Sequence, residues 1–422
     1  LYRKYRESNG VSTDTRKITE GSIFFALKGE NFNANEFALQ ALEKGARYAV
    51  VDEARYAADQ RCILVKDVLQ TLQKLARFHR NHFSVPVIGL TGSNGKTTSK
   101  ELVNAVLSKK YKTHATKGNL NNHIGVPLTI LSMEMSVEIA VIEMGANHVG
   151  EIADLCAIAN PTHGFITNIG KAHIGTFGGF ENIIRAKSEL YQHLITTGGQ
   201  VFINSRDAIL NNMAKRFKSP LFYPAPGDYY HVDMVQADPF VKIKTEAGDE
   251  VQTHLIGSYN FDNIAAALCI GKFFGVPARD ADKAIADYSP GNMRSQVVTK
   301  GSNTIILDAY NANPSSMQAA IENIAAMKAL KKVLILGDMF ELEGESEKEH
   351  RNLGKLIAAK NFADVYFCGK LIRVAKEEYP AASYFENKED LINAIKNKPI
   401  DNATVLIKAS RGIGLEMILD HL

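Results

Sequence analysis

The 422-residue chain has no tryptophan, only four cysteines and no apolar run long enough to cross a bilayer. Cys62, Cys156, Cys269 and Cys368 are too scattered to form a CxxC pair, which excludes a disulfide framework or a zinc ribbon. Each has apolar neighbours, so buried free thiols in a reducing compartment are expected. Charge of one sign is also missing. Lys+Arg number 49 against Asp+Glu 46, a net charge of +3, and no field exists that would hold a nucleic-acid backbone. Any phosphate recognition must be local. The first ten residues are polar and basic with no apolar run behind them, so no export signal and a cytoplasmic location are expected. No internal repeat or low-complexity tract is present.

What the chain does have is 45% hydrophobic residues, enough for packed cores, and a length that suggests about three domains at roughly 150 residues each. Apolar periodicity predicts strand 22–27, a polar loop over 28–35, helix 36–44 and strand 48–51, a small α/β unit. Val68, Leu72, Leu75 and Ala76 recur at helical spacing until Pro86 approaches, which sets a first boundary near Phe83. Strands 85–90, 139–142 and 165–169 alternate with helical stretches such as 97–109, as in a mostly parallel sheet. Segment 240–245 alternates in period two and reads as antiparallel, a helix is expected over 261–274, and Ser289-Pro-Gly291 marks a second boundary. After it, strands 304–307, 333–336, 365–368 and 405–408 interleave with helices 315–329 and 347–359 and a final helix from Gly414. The expected class is α/β in three parts: 1–82, a central P-loop unit over 83–291, and a Rossmann-like unit over 292–422.

The strongest chemical signal is Thr91-Gly92-Ser93-Asn94-Gly95-Lys96-Thr97-Thr98, placed between an apolar strand and a helix. There, backbone N–H groups and a helix N-terminus can cradle nucleotide phosphates. The strict G-x-x-x-x-G-K-[ST] pattern fails at its first position, where Leu90 stands. A chance glycine-rich turn is the bland alternative. On the functional reading Lys96 neutralises the β/γ-phosphates and the Thr97 hydroxyl reaches Mg²⁺. Glu143 ends an apolar strand, where open α/β sheets bind ligands, so it is either a metal ligand or a solvated strand-end acid. His173 follows the next strand in the same way and is either a nitrogen ligand or a solvated loop histidine.

Further segments extend this pattern: Ser12-Thr-Asp-Thr-Arg16, the asparagine-rich stretch 118–127, Glu143-Met-Gly-Ala-Asn-His148, Arg185-Ala-Lys-Ser-Glu189 and Asn260-Phe-Asp-Asn263. Met293-Arg-Ser295, Asp308-Ala-Tyr-Asn-Ala-Asn313, Leu336-Gly-Asp-Met-Phe-Glu341 and Ser410-Arg-Gly412 complete the set. Over nearly the whole chain these segments resemble the Mur ligase family, ATP-dependent amide-bond-forming enzymes of bacterial cell-wall synthesis. The 308–314 and 336–342 segments look like the member that joins D-alanyl-D-alanine to UDP-N-acetylmuramoyl-tripeptide. Departures are Asn33-Ala-Asn35 in place of an Asp-Gly-His type stretch, Gln296 where an acid is common, and Ala409 interrupting a Lys-Gly-Ser-Arg run.

The resemblance implies a UDP-binding first domain, a central ATPase and an acceptor-binding third domain, working through an acyl phosphate. It assigns ATP to Gly92, Ser93, Asn94, Gly95, Lys96, Thr97, Thr98, Asn263, Arg294 and Asp308. The UDP end goes to Ser12, Thr13, Asp14, Thr15, Arg16, Lys28 and Gly29, and the muramoyl part to Asn119, Asn121 and Asn122. The acceptor goes to Tyr310, Asn311 and Asn313. Two Mg²⁺ ions are implied, one at Thr97 and Glu143, the other at His173 and a carbamylated Lys187; periodicity alone would make Lys187 an ordinary surface lysine. The expected state is a monomer. Two alternatives stay open: a sister ligase (third-residue-adding or folylpolyglutamate synthetase), or a P-loop nucleotide-binding module without ligase chemistry. The lysine supports a first test. Lys96→Ala should abolish ATP-dependent ligation while the protein stays folded by circular dichroism, because only a cation stabilises the charge that moves during phosphoryl transfer. Near-normal turnover would contradict the ATPase assignment.

Overall fold

Short apolar strands followed by amphipathic helices bury their apolar faces only in layers, and such layers recur three times along the chain. The computed structural model describes residues 1–422. Near the N-terminus, Val11–Ser12, Ile23–Phe25, Tyr48–Val51 and Cys62–Leu64 form a four-stranded parallel sheet. The expected polar loop 28–35 is a small hairpin instead, Lys28–Gly29 against Phe32–Asn33. Asn33 ends it by accepting from the Asn35 N–H, while buried Asn35 exchanges hydrogen bonds with Asp52 at 2.9 and 3.0 Å. The unusual asparagines therefore tie the hairpin to the end of the neighbouring strand.

The central sheet has six parallel strands, in the order Leu221–Tyr223, Gln200–Asn204, His163–Ile166, Val87–Thr91, Ile139–Glu143, Thr113–Ala115. Strands that follow Val87–Thr91 in the chain flank it on both sides, so a crevice opens at its carboxyl end. The strand expected over 165–169 stops at Ile166 because Thr167 and Asn168 turn to hydrogen-bond Asn94. A three-stranded antiparallel sheet, Val232–Gln236, Phe240–Thr245 and Glu250–Ile256, is appended.

The last sheet also has six strands: Gln296–Lys300 lies antiparallel at one edge, and Asn303–Asp308, Thr404–Lys408, Lys332–Gly337, Asp364–Cys368 and Ser383–Phe385 run parallel. Asp308, Gly337 and Lys408 end adjacent strands and so share one edge. The expected final α-helix is a 3₁₀ run, Leu415–His421, entered through Gly414 at φ 72°. Ala409 is buried against Gly337, where a Cβ on the glycine would lie 2.8 Å from it. Of the cysteines, Cys62 is only half-buried, and the other three are buried free thiols. No helix is long and apolar enough to cross a membrane.

The three layers share apolar packing. One buried cluster runs from Phe25 and Leu72 through Val126 and Ile183 to Ile321 and Leu336. Helix Val68–Arg80 is the joint between the first two layers: Leu72, Leu75 and Ala76 face the core and Arg80 closes its end. The Arg80 guanidinium, 3% exposed, donates to the carbonyls of Ala159 (2.8 Å), Phe83 (2.7 Å) and Asn160 (3.0 Å). Arg80→Ala would strand three carbonyls, and a loss of about 2 to 4 kcal/mol in denaturant unfolding is expected. Wild-type stability in that variant would contradict the joint.

Candidate active site

Fully buried Val87–Thr91 delivers the chain to the crevice, and Leu90 fills the core where the strict motif would have glycine. The loop that follows needs its two glycines. A Cβ on Gly92 (φ 146°) would lie 2.0 Å from Thr167 Oγ1, and one on Gly95 (φ 76°) 2.6 Å from Asn263 Oδ1. The Ser93 and Asn94 N–H groups are spent on the Asn168 carbonyl and Asn168 Oδ1, each at 3.0 Å, and Ser93 Oγ bonds Gly170. Phosphate-facing donors are therefore left at Gly95 to Thr98, the opening of helix Lys96–Leu107. Lys96 folds back, donating to the Gly92 carbonyl at 2.8 Å and that of Ser93 at 3.2 Å. Desolvation pushes its ammonium below the ordinary lysine range; Glu143 and Glu341 pull it back and Arg294 adds to the depression.

Asn263, expected among the ATP-binding residues, is buried and committed internally: Oδ1 accepts from Ser99 Oγ at 2.8 Å and Nδ2 donates to Asn260 Oδ1 at 2.9 Å. Its visible work is to support Gly95.

Thr97 and Glu143 meet, the hydroxyl donating to Oε1 at 3.2 Å. Oε1 also accepts from Asn121 at 2.8 Å, while Oε2 is buried with no partner. An orphaned carboxylate oxygen beside a hydroxyl suits a hard divalent cation. Asn122 holds the start of the next helix through the Ile124 and Gly125 N–H groups, and Asn119 lines the cleft.

The other expected metal pair is not assembled in this way. His173, at φ 55°, points Nδ1 at Glu341 Oε2, 2.6 Å away. Lys187 is no surface lysine: it is 2% exposed on helix Phe180–Thr197, over the Phe177 ring, and its nearest acceptor is the Ala146 carbonyl at 3.4 Å. No carboxylate pairs with it, since Glu189 accepts from the Gly150 and Ala153 N–H groups instead. Burial first, then the charge of Lys96, pushes its ammonium down to about 7. His173 and Lys187 do not hydrogen-bond each other.

Across the cleft, Asp308 is neutralised by buried Lys408 at 2.5 Å and accepts from the Ser295 N–H at 3.1 Å. Two guanidiniums approach the Tyr310 ring, Arg294 at 3.8 Å and Arg411 at 5.3 Å from its centre. The Asn311 carbonyl accepts from Lys408, and Asn313 caps helix Pro314–Ala326 while its Nδ2 donates to Asn94 Oδ1 at 2.8 Å. Gln296 accepts from the Met293 N–H beside Arg294. The cleft enclosed by these residues has a volume of about 580 Å³.

Ser12 to Arg16, Lys28 and Gly29 are not part of it. They lie at or past strand ends of the N-terminal sheet, where Arg16 pairs with Asp14, holding that carboxyl down to about 2, and Lys28 pairs with Asp52 (2.9 Å) and Glu53 (3.1 Å). Asn168, Glu341 and Lys408 were not among the expected site residues. Glu341 and Lys408 stand at or just past strand ends, a signal the sequence does carry.

Family profiles match three stretches: "Mur ligase family, catalytic domain" over 7–80, "Mur ligase middle domain" over 90–271 and "Mur ligase, glutamate ligase domain" over 293–411. The UDP-N-acetylmuramoyl-tripeptide--D-alanyl-D-alanine ligase of Bacillus subtilis is 36% identical, covering 98% of this chain and 93% of its own. A crystal structure of MurF from Acinetobacter baumannii superposes with a TM-score of 0.87 at 32% identity, covering 97% of this chain and 92% of that one. MurF ligase from Thermotoga maritima in complex with ADP gives 0.85 at 29%, covering 99% and 97%. Near-complete coverage by relatives of this identity, together with the three profiles in order, means that the chain belongs to the Mur ligase family.

Proposed function

We propose that the chain is an ATP-dependent ligase that joins D-alanyl-D-alanine to UDP-N-acetylmuramoyl-tripeptide in peptidoglycan precursor synthesis, acting as a cytoplasmic monomer. The observation that carries this reading is one cleft between a phosphate loop with an orphaned Glu143 oxygen and a second sheet edge bearing Arg294, Tyr310 and Asn313. The full-length likeness to D-alanyl-D-alanine-adding relatives selects the acceptor. The division into 1–82, 83–291 and 292–422 gives each substrate its own unit.

ATP lies with its phosphates on the Gly95 to Thr98 N–H groups, and Lys96 and Arg294 offset the charge as the tripeptide carboxylate takes the γ-phosphoryl group and ADP leaves. The dipeptide amine then attacks the acyl carbon, losing a proton, and phosphate departs. Two Mg²⁺ ions would supply further charge neutralisation, one held by Thr97 and Glu143, the second by His173 and carbamylated Lys187. Carbamylation answers a problem of sign: an ammonium beside Mg²⁺ repels it, whereas a carbamate offers oxygen. Lys187, buried without a counter-ion, has the environment such a modification needs. Ser12 to Arg16, Lys28 and Gly29 take the UDP end and Asn119, Asn121 and Asn122 the muramoyl part, so that binding energy far from the carboxylate positions it. Asp308, held by Lys408, orders the nucleotide side of the third unit, and Asn311 and Asn313 shape the acceptor side.

Phosphate release with ATP, Mg²⁺ and UDP-tripeptide, run against a panel of amino acids and dipeptides, tests the reading. It should depend on D-alanyl-D-alanine; preference for a single amino acid or for glutamate would favour a sister ligase. Lys187→Ala should be nearly inactive and partly recovered by small carboxylates, and full activity in bicarbonate-free buffer would refute the carbamate. Asn263→Leu, which crowds Gly95 and strands Ser99, should raise the KM for ATP, and an unchanged value would remove Asn263 from the nucleotide site.

A further inference from the structure

Four carboxylates line the cleft, and three are committed. Glu143 is held by Thr97 and Asn121, Glu151 accepts from the Asn147 N–H and from His148, and Asp308 is paired with Lys408. Glu341 differs. Its side chain is 43% exposed and its partner is His173, on the opposite wall. It also lies close enough to Lys96 for each to perturb the other's charge, which places a carboxylate beside the site where anionic carboxylate and triphosphate must meet. Another anion there opposes binding unless it receives a cation.

The loop that carries it is braced. Asp338, 3% exposed, accepts from the Lys370 and Ile372 N–H groups, Met339 donates to His350 Nε2 at 3.0 Å, and Phe340 donates to Ser410 Oγ at 2.9 Å. Ser410 in turn donates its N–H to the Asp338 carbonyl at 3.0 Å. Glu341 itself sits at φ 62°, a left-handed conformation that side chains other than glycine adopt at a cost. The segment Leu336 to Phe340 thus serves as a mount, and Glu341 is the charged group it presents to the cleft.

We propose that Glu341 is the anchor for the amino end of the acceptor dipeptide: it receives the α-ammonium group and holds the nitrogen over the acyl carbon, where the proton passes to solvent and the neutral amine attacks. The inference rests on the ligase reading above and adds a positioning residue to it. The acceptor's α-nitrogen is the group that has to reach the acyl carbon, and Glu341 comes from the C-terminal unit assigned to the acceptor.

Hydroxylamine separates this role from others, because it is a small nucleophile, uncharged near neutral pH, that can trap an acyl phosphate without an ammonium anchor. Purified full-length enzyme is assayed with ATP, Mg²⁺ and UDP-tripeptide, with either D-alanyl-D-alanine or hydroxylamine as acceptor. Glu341→Gln should raise the KM for the dipeptide roughly 10- to 100-fold, the scale of one charge-assisted hydrogen bond, and leave hydroxamate formation near wild type. Glu341→Asp should recover part of the dipeptide affinity. Circular dichroism reports that each variant is folded. Equal loss of both reactions would assign Glu341 to phosphoryl transfer through His173 or a metal and overturn the proposal, as would an unchanged dipeptide KM. If the wild-type enzyme forms neither product, the ligase reading itself fails.

Discussion

Two negative groups, a carboxylate and a triphosphate, have to meet in one small volume for the proposed reaction, and their mutual repulsion is the constraint the site is built around. Helix Lys96–Leu107 contributes its N–H end, Lys96 and Arg294 contribute cations, and the orphaned Glu143 oxygen asks for a divalent ion. Of the carboxylates that remain near this center, Asp308 is compensated by Lys408, and Glu341 faces His173 with its side chain part-exposed to the cleft. Little of the protein's modest net charge of +3 is needed for this, because the compensation is local.

Backbone strain gathers at the seam beside this site. Of seven non-glycine residues with positive φ, five are His173, Met293, Ser295, Glu341 and Glu343, at or next to the seam between central and C-terminal units. Asn94 to Asn313, Lys171 to Glu349 at 2.9 Å and the Lys171 N–H to Ser315 hold that seam. The phosphate loop is thereby fixed from both sides: by Asn168 and Thr167 from its own sheet, and by Asn313 from the facing one.

How much of this is legible in the sequence follows from how local each feature is. Strands Ile139–Glu143 and Lys332–Gly337 are apolar runs, and the phosphate loop is contiguous, so both can be read directly. The hairpin at Lys28–Gly29 escaped because two-residue strands leave no period, and the end of strand His163–Ile166 moved because Thr167 and Asn168 were needed elsewhere. Lys408 is the partner of Asp308 across 100 residues, and Asn168 reaches Asn94 across 74. Such pairings depend on which strands are neighbours, and spacing does not contain that. The surface reading of Lys187 failed for a related reason: its helix buries the face that carries Ile183, Ala186 and Leu190 as well.

The central claim is that the cleft transfers the γ-phosphoryl group to the UDP substrate before the acceptor attacks. ATP labelled with ¹⁸O in the β,γ-bridge tests it directly, without acceptor present. Reversible transfer frees the β-phosphoryl group of bound ADP to rotate, so the account predicts that label scrambles into non-bridging positions only when UDP-N-acetylmuramoyl-tripeptide is added. Label that stays in the bridge with that substrate present, or scrambles equally without it, would contradict the account.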